Sequence, residues 1–335
     1  MKAGPRFGVA FQADKRTSDY ERLAAMAEHY GFDVASVYGD LYYQPPLVAL
    51  LAMARATSSI CLGPACLNPF TVHPVEIAAQ VAALDEASAG RAYLGLARGS
   101  WLGDLGIDQA GAPEAIGEAV AVIVALLRGD RAGVAGQRFR LAAGAALKRP
   151  PPRSSVPLLV GTWGPRLAAI GAAIADEVKV GGSANPAMVP VMRRWTGAGV
   201  AGRGPVGIVI GAVTVVDEDG ASARARARRE VAPYLDVVGR LDRTVEIPAG
   251  LWADLGRALR ESGPAAAARF VPDDVLDLFA FAGTPRAVAE HALRVLDAGA
   301  DRIEFGTPHG LSDDRGLQLL GTQVLPAVRE ELEGG

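Results

Sequence analysis

Short apolar runs alternate with amphipathic stretches along almost the whole chain. Phe7–Gln12, Val34–Tyr38, Ile60–Leu67, Ala92–Ala97, Val156–Val160, Glu177–Val180, Gly207–Val216 and Arg302–Phe305 have the length and β-rich content of strands. Apolar residues recur at helical spacing over Asp19–Tyr30, Pro46–Thr57, Pro74–Ala87, Pro113–Leu127, Arg166–Ala175, Pro186–Thr196, Ala221–Val238, Pro285–Ala298 and Asp314–Leu332. Proline in a first turn (Pro46, Pro74) and glycine just past a last turn (Gly31, Gly129) mark several boundaries. A Pro-rich joint lies at Lys148–Ser155, and Arg240–Phe281 reads as extra helices.

This alternation gives eight strands, each followed by a helix. Continuous apolar strands suit a parallel sheet covered on both faces. The expected fold is an α/β (β/α)8 TIM barrel spanning 1–335 as one domain, with insertions around 130–155 and 240–282. A doubly wound open sheet would carry a Gly-rich turn after its first strand. Ala13–Asp14–Lys15 stands there instead. In a barrel the chemistry gathers where strands end, which here means Gln12, Asp14, Gly39, Asp40, Asn68, Arg98–Trp101, Thr162, Trp163, Gly181–Ser183, Asp217 and Glu304–His309.

Composition narrows the partners. The 335 residues are 50% hydrophobic with a formal net charge of −3, so no basic surface recommends nucleic acid. Met1–Gly8 has no apolar leader, and no uninterrupted apolar run is long enough for a membrane span. Two cysteines, Cys61 and Cys66, in one apolar run point to a reducing cytoplasm. The 40 glycines and abundant alanine indicate close helix–strand packing.

Titratable groups are scarce at the strand ends. The four histidines are scattered, so no metal set is expected. Neither Gly-x-Ser-x-Gly nor a Walker pattern occurs. Asp40 and Glu304 are the candidate catalytic carboxylates, although Asp40 could equally cap the helix near Pro45 and Glu304 could close the barrel core. Gly161–Arg166 (GTWGPR) ends a strand and opens a helix, where free N–H groups and Arg166 would suit a phosphate. Gly181–Gly182 forms a second glycine-rich lip. Tight turns alone would also explain these glycines. Gly63–Pro64 inside a strand marks a bulge or a close ligand approach.

Leu62–Ser100 resembles the bacterial-luciferase-like superfamily. The likeness rests on Leu84–Asp85–Glu86, Ser88, Gly90–Arg91 and Leu94–Gly95. Gly161–Ala169, Phe270–Pro285 and Ile303–Pro308 extend it toward the methylenetetrahydromethanopterin reductases, which depend on coenzyme F420. The resemblance implies a deazaflavin across the barrel mouth and a non-prolyl cis peptide at Ala65–Cys66 behind its ring. It places Asp40 near the ring's polar edge, and Asn68 and Gly99 near the ring. Gly161, Thr162, Gly164, Arg166, Gly181 and Gly182 fall on the phosphate side.

The implied chemistry is hydride transfer between the deazaflavin C5 and an electrophilic carbon (C=N or C=C) of a small organic substrate. The alternative is an FMN-dependent luciferase-like monooxygenase. Four positions depart from the reductase pattern: Ala10 replaces a strand-one acid, Leu41 a histidine, Val72 an arginine, and Arg98 a small residue. The second substrate is therefore left open. The family also implies a homodimer or homotetramer, paired through the Ala-rich helices Pro46–Thr57 and Pro74–Ala87.

Overall fold

A computed structural model of the chain describes residues 4–149, 151–197 and 204–334; Pro150 of the Pro-rich joint lies outside them. The strands are β1 (Arg6–Phe11), β2 (Val34–Val37), β3 (Cys61–Pro64), β4 (Leu94–Ala97), β5 (Leu158–Gly161), β6 (Glu177–Gly181), β7 (Gly207–Val216), β8 (Ala280–Gly283) and β9 (Arg302–Gly310). The helices are α1 (Thr17–His29), α2 (Pro46–Ala56), α3 (Pro74–Ala87), α4 (Ala112–Arg128), α5 (Pro165–Ile174), α6 (Met188–Thr196), α7 (Gly220–Val238), α8 (Ala249–Ala267), α9 (Asp273–Phe279), α10 (Pro285–Asp297), α11 (Asp313–Leu319) and α12 (Leu325–Gly334).

All sheet pairings are parallel, in the order β3-β2-β1-β9-β7-β6-β5-β4. The end strands β3 and β4 meet through the bridges Leu62–Ala92 and Leu67–Leu96, which close the ring. The expected barrel is present, with one correction: there is a ninth strand. β8 lies off the ring and pairs with β7 at Val213–Val216, beyond Gly211, the β7 residue opposite the end of β6 at Gly181. It follows α9 with no breaker between, and the run LFAFAG has no period that separates helix from strand.

Odd and even positions of each strand face different cores. Phe7, Val9 and Phe11 pack outward against α1 and α2 residues such as Leu23, Leu50 and Met53. The inward positions alternate glycine with large polar side chains. A Cβ on Gly211 would come within 3.0 Å of Lys179 Cε, and one on Gly306 within 2.5 Å of Tyr38 Oη. Inward glycines therefore make room for Lys179, Glu304, Arg302, Tyr38 and Tyr93 inside the barrel.

The floor, at the N-terminal ends of the strands, repeats one device. Asp33, Asp176 and Asp301 each precede a strand. Their carboxylates accept from the N–H of Phe7, Leu158 and Ile208 at 2.7–2.8 Å. Their own N–H groups donate to the carbonyls of the same three residues at 2.8–2.9 Å. Each aspartate thus clamps a neighbouring strand by two bonds, and each such bond contributes about 1 kcal/mol.

Candidate active site

The β3–β4 ladder is intact at Leu62 and again at Leu67, and between them the chain bulges. The Ala65–Cys66 peptide in that bulge is cis, as the sequence resemblance implied. Three glycines admit it. A Cβ on Gly39 would meet Cys66 O at 2.5 Å, one on Gly95 would meet Pro64 O at 2.3 Å, and one on Gly161 would approach Cys66 Sγ at 3.1 Å. The bulge therefore packs against the ends of β2, β4 and β5, the strands that carry other candidate residues. Burial pushes the Cys66 thiol up to about 12, so it is a packing group and not a nucleophile.

Asp40 follows β2 and is half-buried. Gln12 Nε2 donates to its Oδ2 at 2.9 Å, and Gln12 Oε1 accepts from Ala13 N at 3.0 Å, which fixes the amide. Burial raises the Asp40 pKa, while the Gln12 bond and the Lys179 charge pull it partway back. Tyr234 of α7 joins this group. Its hydroxyl lies beside Gln12 and Asp40, and its ring is 6.4 Å from Trp101. Trp101 itself holds a left-handed backbone (φ 58°) on the rim after β4. Bulky residues adopt that conformation only where their surroundings impose it.

The phosphate-side turns also come together. Thr162 Oγ1 accepts from Gly164 N at 3.0 Å, and the turn leads into α5, whose first-turn N–H groups lack intrahelical acceptors. Trp163 Nε1 donates to Gly181 O at 2.8 Å, tying this turn to the lip at Gly181–Gly182. Arg166 is 72% exposed and paired with Glu114 of α4 at 2.5 Å, away from the turn. Asn68 is buried, and its Oδ1 accepts from Phe70 N, Thr71 N and Thr71 Oγ1, so that oxygen is committed to the loop. Gly99 lies directly against it: a Cβ there would touch Asn68 Cγ at 3.0 Å.

Glu304 sits apart from the mouth. It is fully buried on β9, bonded to Lys179 Nζ and accepting from Ser36 Oγ at 2.7 Å, with Arg302 at 3.7 Å. Burial opposes its charge, but Lys179 and Arg302 outweigh it and hold the carboxyl below its ordinary range. The two candidate carboxylates therefore have separate partners, Gln12 for Asp40 and Lys179, Ser36 and Arg302 for Glu304.

Sequence reading overlooked Lys179 and Tyr234. Lys179 carried one signal, a charge flanked on both sides by valine in the strand EVKVG. Tyr234 carried none, since its neighbours Gln12 and Asp40 are remote in the chain.

The most distinctive sequence block proves to be scaffold. Asp85 is buried and accepts from Arg153 Nε at 2.9 Å and from Ala92 N at 3.3 Å. Arg91 donates to the carbonyls of Ala54, Thr57, Ile60 and Ser88 at 2.7–3.1 Å.

A family model described as luciferase-like monooxygenase matches residues 3–302. The 5,10-methylenetetrahydromethanopterin reductase of Archaeoglobus fulgidus is 29% identical, over 97% of this chain and 100% of that protein. The enzyme of the same name from Methanopyrus kandleri is 28% identical over 97% and 99%. The solved structure of coenzyme F420 dependent tetrahydromethanopterin reductase from Methanopyrus kandleri superposes with a TM-score of 0.88 at 25% identity, over 97% of this chain and 99% of that one. An F420-dependent secondary alcohol dehydrogenase, 20% identical with a TM-score of 0.78 over 98% of this chain and 100% of that one, shares the fold.

Proposed function

The chain belongs to the luciferase-like monooxygenase family, and from that membership we propose that it is a coenzyme F420-dependent oxidoreductase, similar to the methylenetetrahydromethanopterin reductases. The observation that carries this reading is the likeness to the F420-dependent reductase over 97% of this chain and 99% of that one. The site fits such a group. The cis bulge presents backbone in a space cleared by Gly39, Gly95 and Gly161, and the turn leads into the N-terminus of α5, which carries no side-chain cap and whose dipole suits a phosphate.

When bound, the deazaflavin would supply the hydride exchanged with an electrophilic carbon of a small organic substrate. The chain's own residues orient and exclude water. Ala65 and Cys66 support the ring, Gly161, Thr162, Gly164, Gly181 and Gly182 hold the phosphate side, and Asn68 with Gly99 shapes the wall. Asp40, oriented by Gln12, offers a carboxyl that can hold a proton at the ring's polar edge. Arg166 reaches the phosphate only by leaving Glu114. Glu304 acts from the core and not on substrate.

We read 1–335 as one barrel unit with its insertions, working in the cytoplasm as a homodimer or homotetramer through α2 and α3. Among the described residues no helix is long and apolar enough to cross a membrane. The test is binding measured by fluorescence quenching with F420 and with FMN. Tight binding of F420 supports the reading. Binding of FMN alone would replace it with the monooxygenase alternative.

A further inference from the structure

Four charged side chains form a line through the barrel interior. Arg302 Nη2 lies 2.9 Å from Glu177 Oε2, Arg302 Nη1 lies 3.7 Å from Glu304 Oε2, and Glu304 Oε1 bonds Lys179. Their signs alternate and their charges sum to zero. The line has direction, however: Glu177 is at the floor, and Lys179 is two residues from the end of β6. Its ammonium is 5.6 Å from the Tyr38 ring, and its charge is felt by Asp40 and Cys66, both mouth residues. The positive pole faces the mouth.

We propose that Lys179 provides a fixed positive field under the mouth that favours the anionic form of the ring bound there, and that Glu304 and Arg302 are positioning residues acting through it. This rests on the deazaflavin reading above. The geometry is built for a buried cation. Lys179 is only 4% exposed, and Gly211 clears its stem on the neighbouring strand. An ammonium has three N–H donors, and among the described residues Glu304 is its one hydrogen-bond acceptor. In a low-dielectric interior such a charge acts over several ångströms. Around it are Tyr38 and Asp40 from the β2 side, Cys66 after β3, and Glu304 from β9, with Arg302 beyond Glu304 and Tyr93, just before β4, beside that pair. β5 and β7 contribute the glycines Gly161 and Gly211. Of these, Asp40 and Glu304 are the carboxyl groups: burial raises the Asp40 pKa, and Glu304 is already shared with Arg302. The ring's 8-hydroxy group loses its proton to solvent on ionising, and a neighbouring cation shifts that equilibrium toward the anion.

The experiment is a spectrophotometric titration of bound F420, reading the pH at which the 8-hydroxy group ionises. It compares the wild-type protein with Lys179→Met, Lys179→Arg and the charge-neutral pair Lys179→Met/Glu304→Gln. Both Met variants should ionise the ring at a pH higher by about one unit, a tenfold change in the equilibrium, and Lys179→Arg should stay near wild type. If Lys179→Met does not fold, the double variant decides, because it leaves no unpaired buried charge. Ionisation at the wild-type pH in the Met variants that fold would overturn the proposal. Failure of the wild-type protein to bind F420 at all would overturn the functional reading itself, before any variant is compared.

Discussion

The floor and the mouth of this barrel use polar groups in opposite ways. At the floor they are saturated. Asp33, Asp176 and Asp301 each close two strand bonds, Asp85 holds Arg153 and Ala92, and Glu28 accepts from Ser58, Ser59 and Ile60. At the mouth the candidate groups are half-committed: Asp40 has the Gln12 amide as its partner, and α5 begins without a side-chain cap. The difference teaches where stability and function separate. Floor substitutions should cost stability and spare cofactor binding, and mouth substitutions should do the reverse.

The largest expected effect is at the floor. Asp85→Ala should lower unfolding free energy by about 3 kcal/mol, because it strips a buried carboxylate from Arg153 and from the Ala92 N–H. Denaturant unfolding measures this. F420 affinity at a temperature where the variant is folded should stay within about twofold. A tenfold loss of affinity at full stability would erase the proposed division.

Next comes Asp40→Asn at the mouth. Turnover with reduced F420 should fall about 10- to 100-fold, consistent with losing one positioned proton-holding group. Stability should move the other way. Burial raises the Asp40 pKa in the folded state, so the folded protein binds more protons than the unfolded one. Stability is therefore lost as pH rises from the unfolded value of about 3.9 through the raised folded one. Asparagine removes that loss, so Tm at neutral pH should hold or rise slightly. A fall in Tm would show Asp40 to be structural.

Glu28→Gln gives a smaller effect with the opposite pH sign. Burial opposes its charge, but the N–H groups of Ile60, Ser59 and Ser58 hold the carboxyl at about 2. Its contribution is present above the unfolded value of about 4.3 and is lost as pH falls through about 2. The side chain is partly solvated, so the expected loss on substitution is about 1 kcal/mol at neutral pH. The gap between the two proteins should close in acid. A gap unchanged between pH 7 and pH 2 would refute the assignment.

The same contrast explains what could be read from the sequence. Helix and strand alternation depends on local periodicity, so α3 falls on Pro74–Ala87 as expected and the barrel follows. The resemblance gave Ala65–Cys66. Periodicity failed at β8, where α9 runs into the strand without a breaker, and at β9, which continues to Gly310 past the expected Phe305. The floor clamps had a signal that went unused: an aspartate directly before each of β2, β6 and β9, in GFD, IAD and GAD. The mouth had almost none. Lys179 meets Glu304 across 125 positions, and Gln12 meets Asp40 across 28. Such pairs exist only once the ring has closed.

Arg166→Ala is the smallest expected effect and the finest test of the contrast. The sequence makes Arg166 a phosphate ligand, but the structure pairs it with Glu114 on the surface at 72% exposure. An exposed pair of this kind contributes about 0–1 kcal/mol, so stability should barely change. If the phosphate is held chiefly by the backbone at the start of α5, F420 affinity should fall only about threefold. If Arg166 swings from Glu114 to the phosphate, the fall should be tenfold or more, and Glu114→Gln should tighten binding by freeing the guanidinium. Binding measured on both variants distinguishes a mouth built on fixed N–H groups from one completed by a mobile charge.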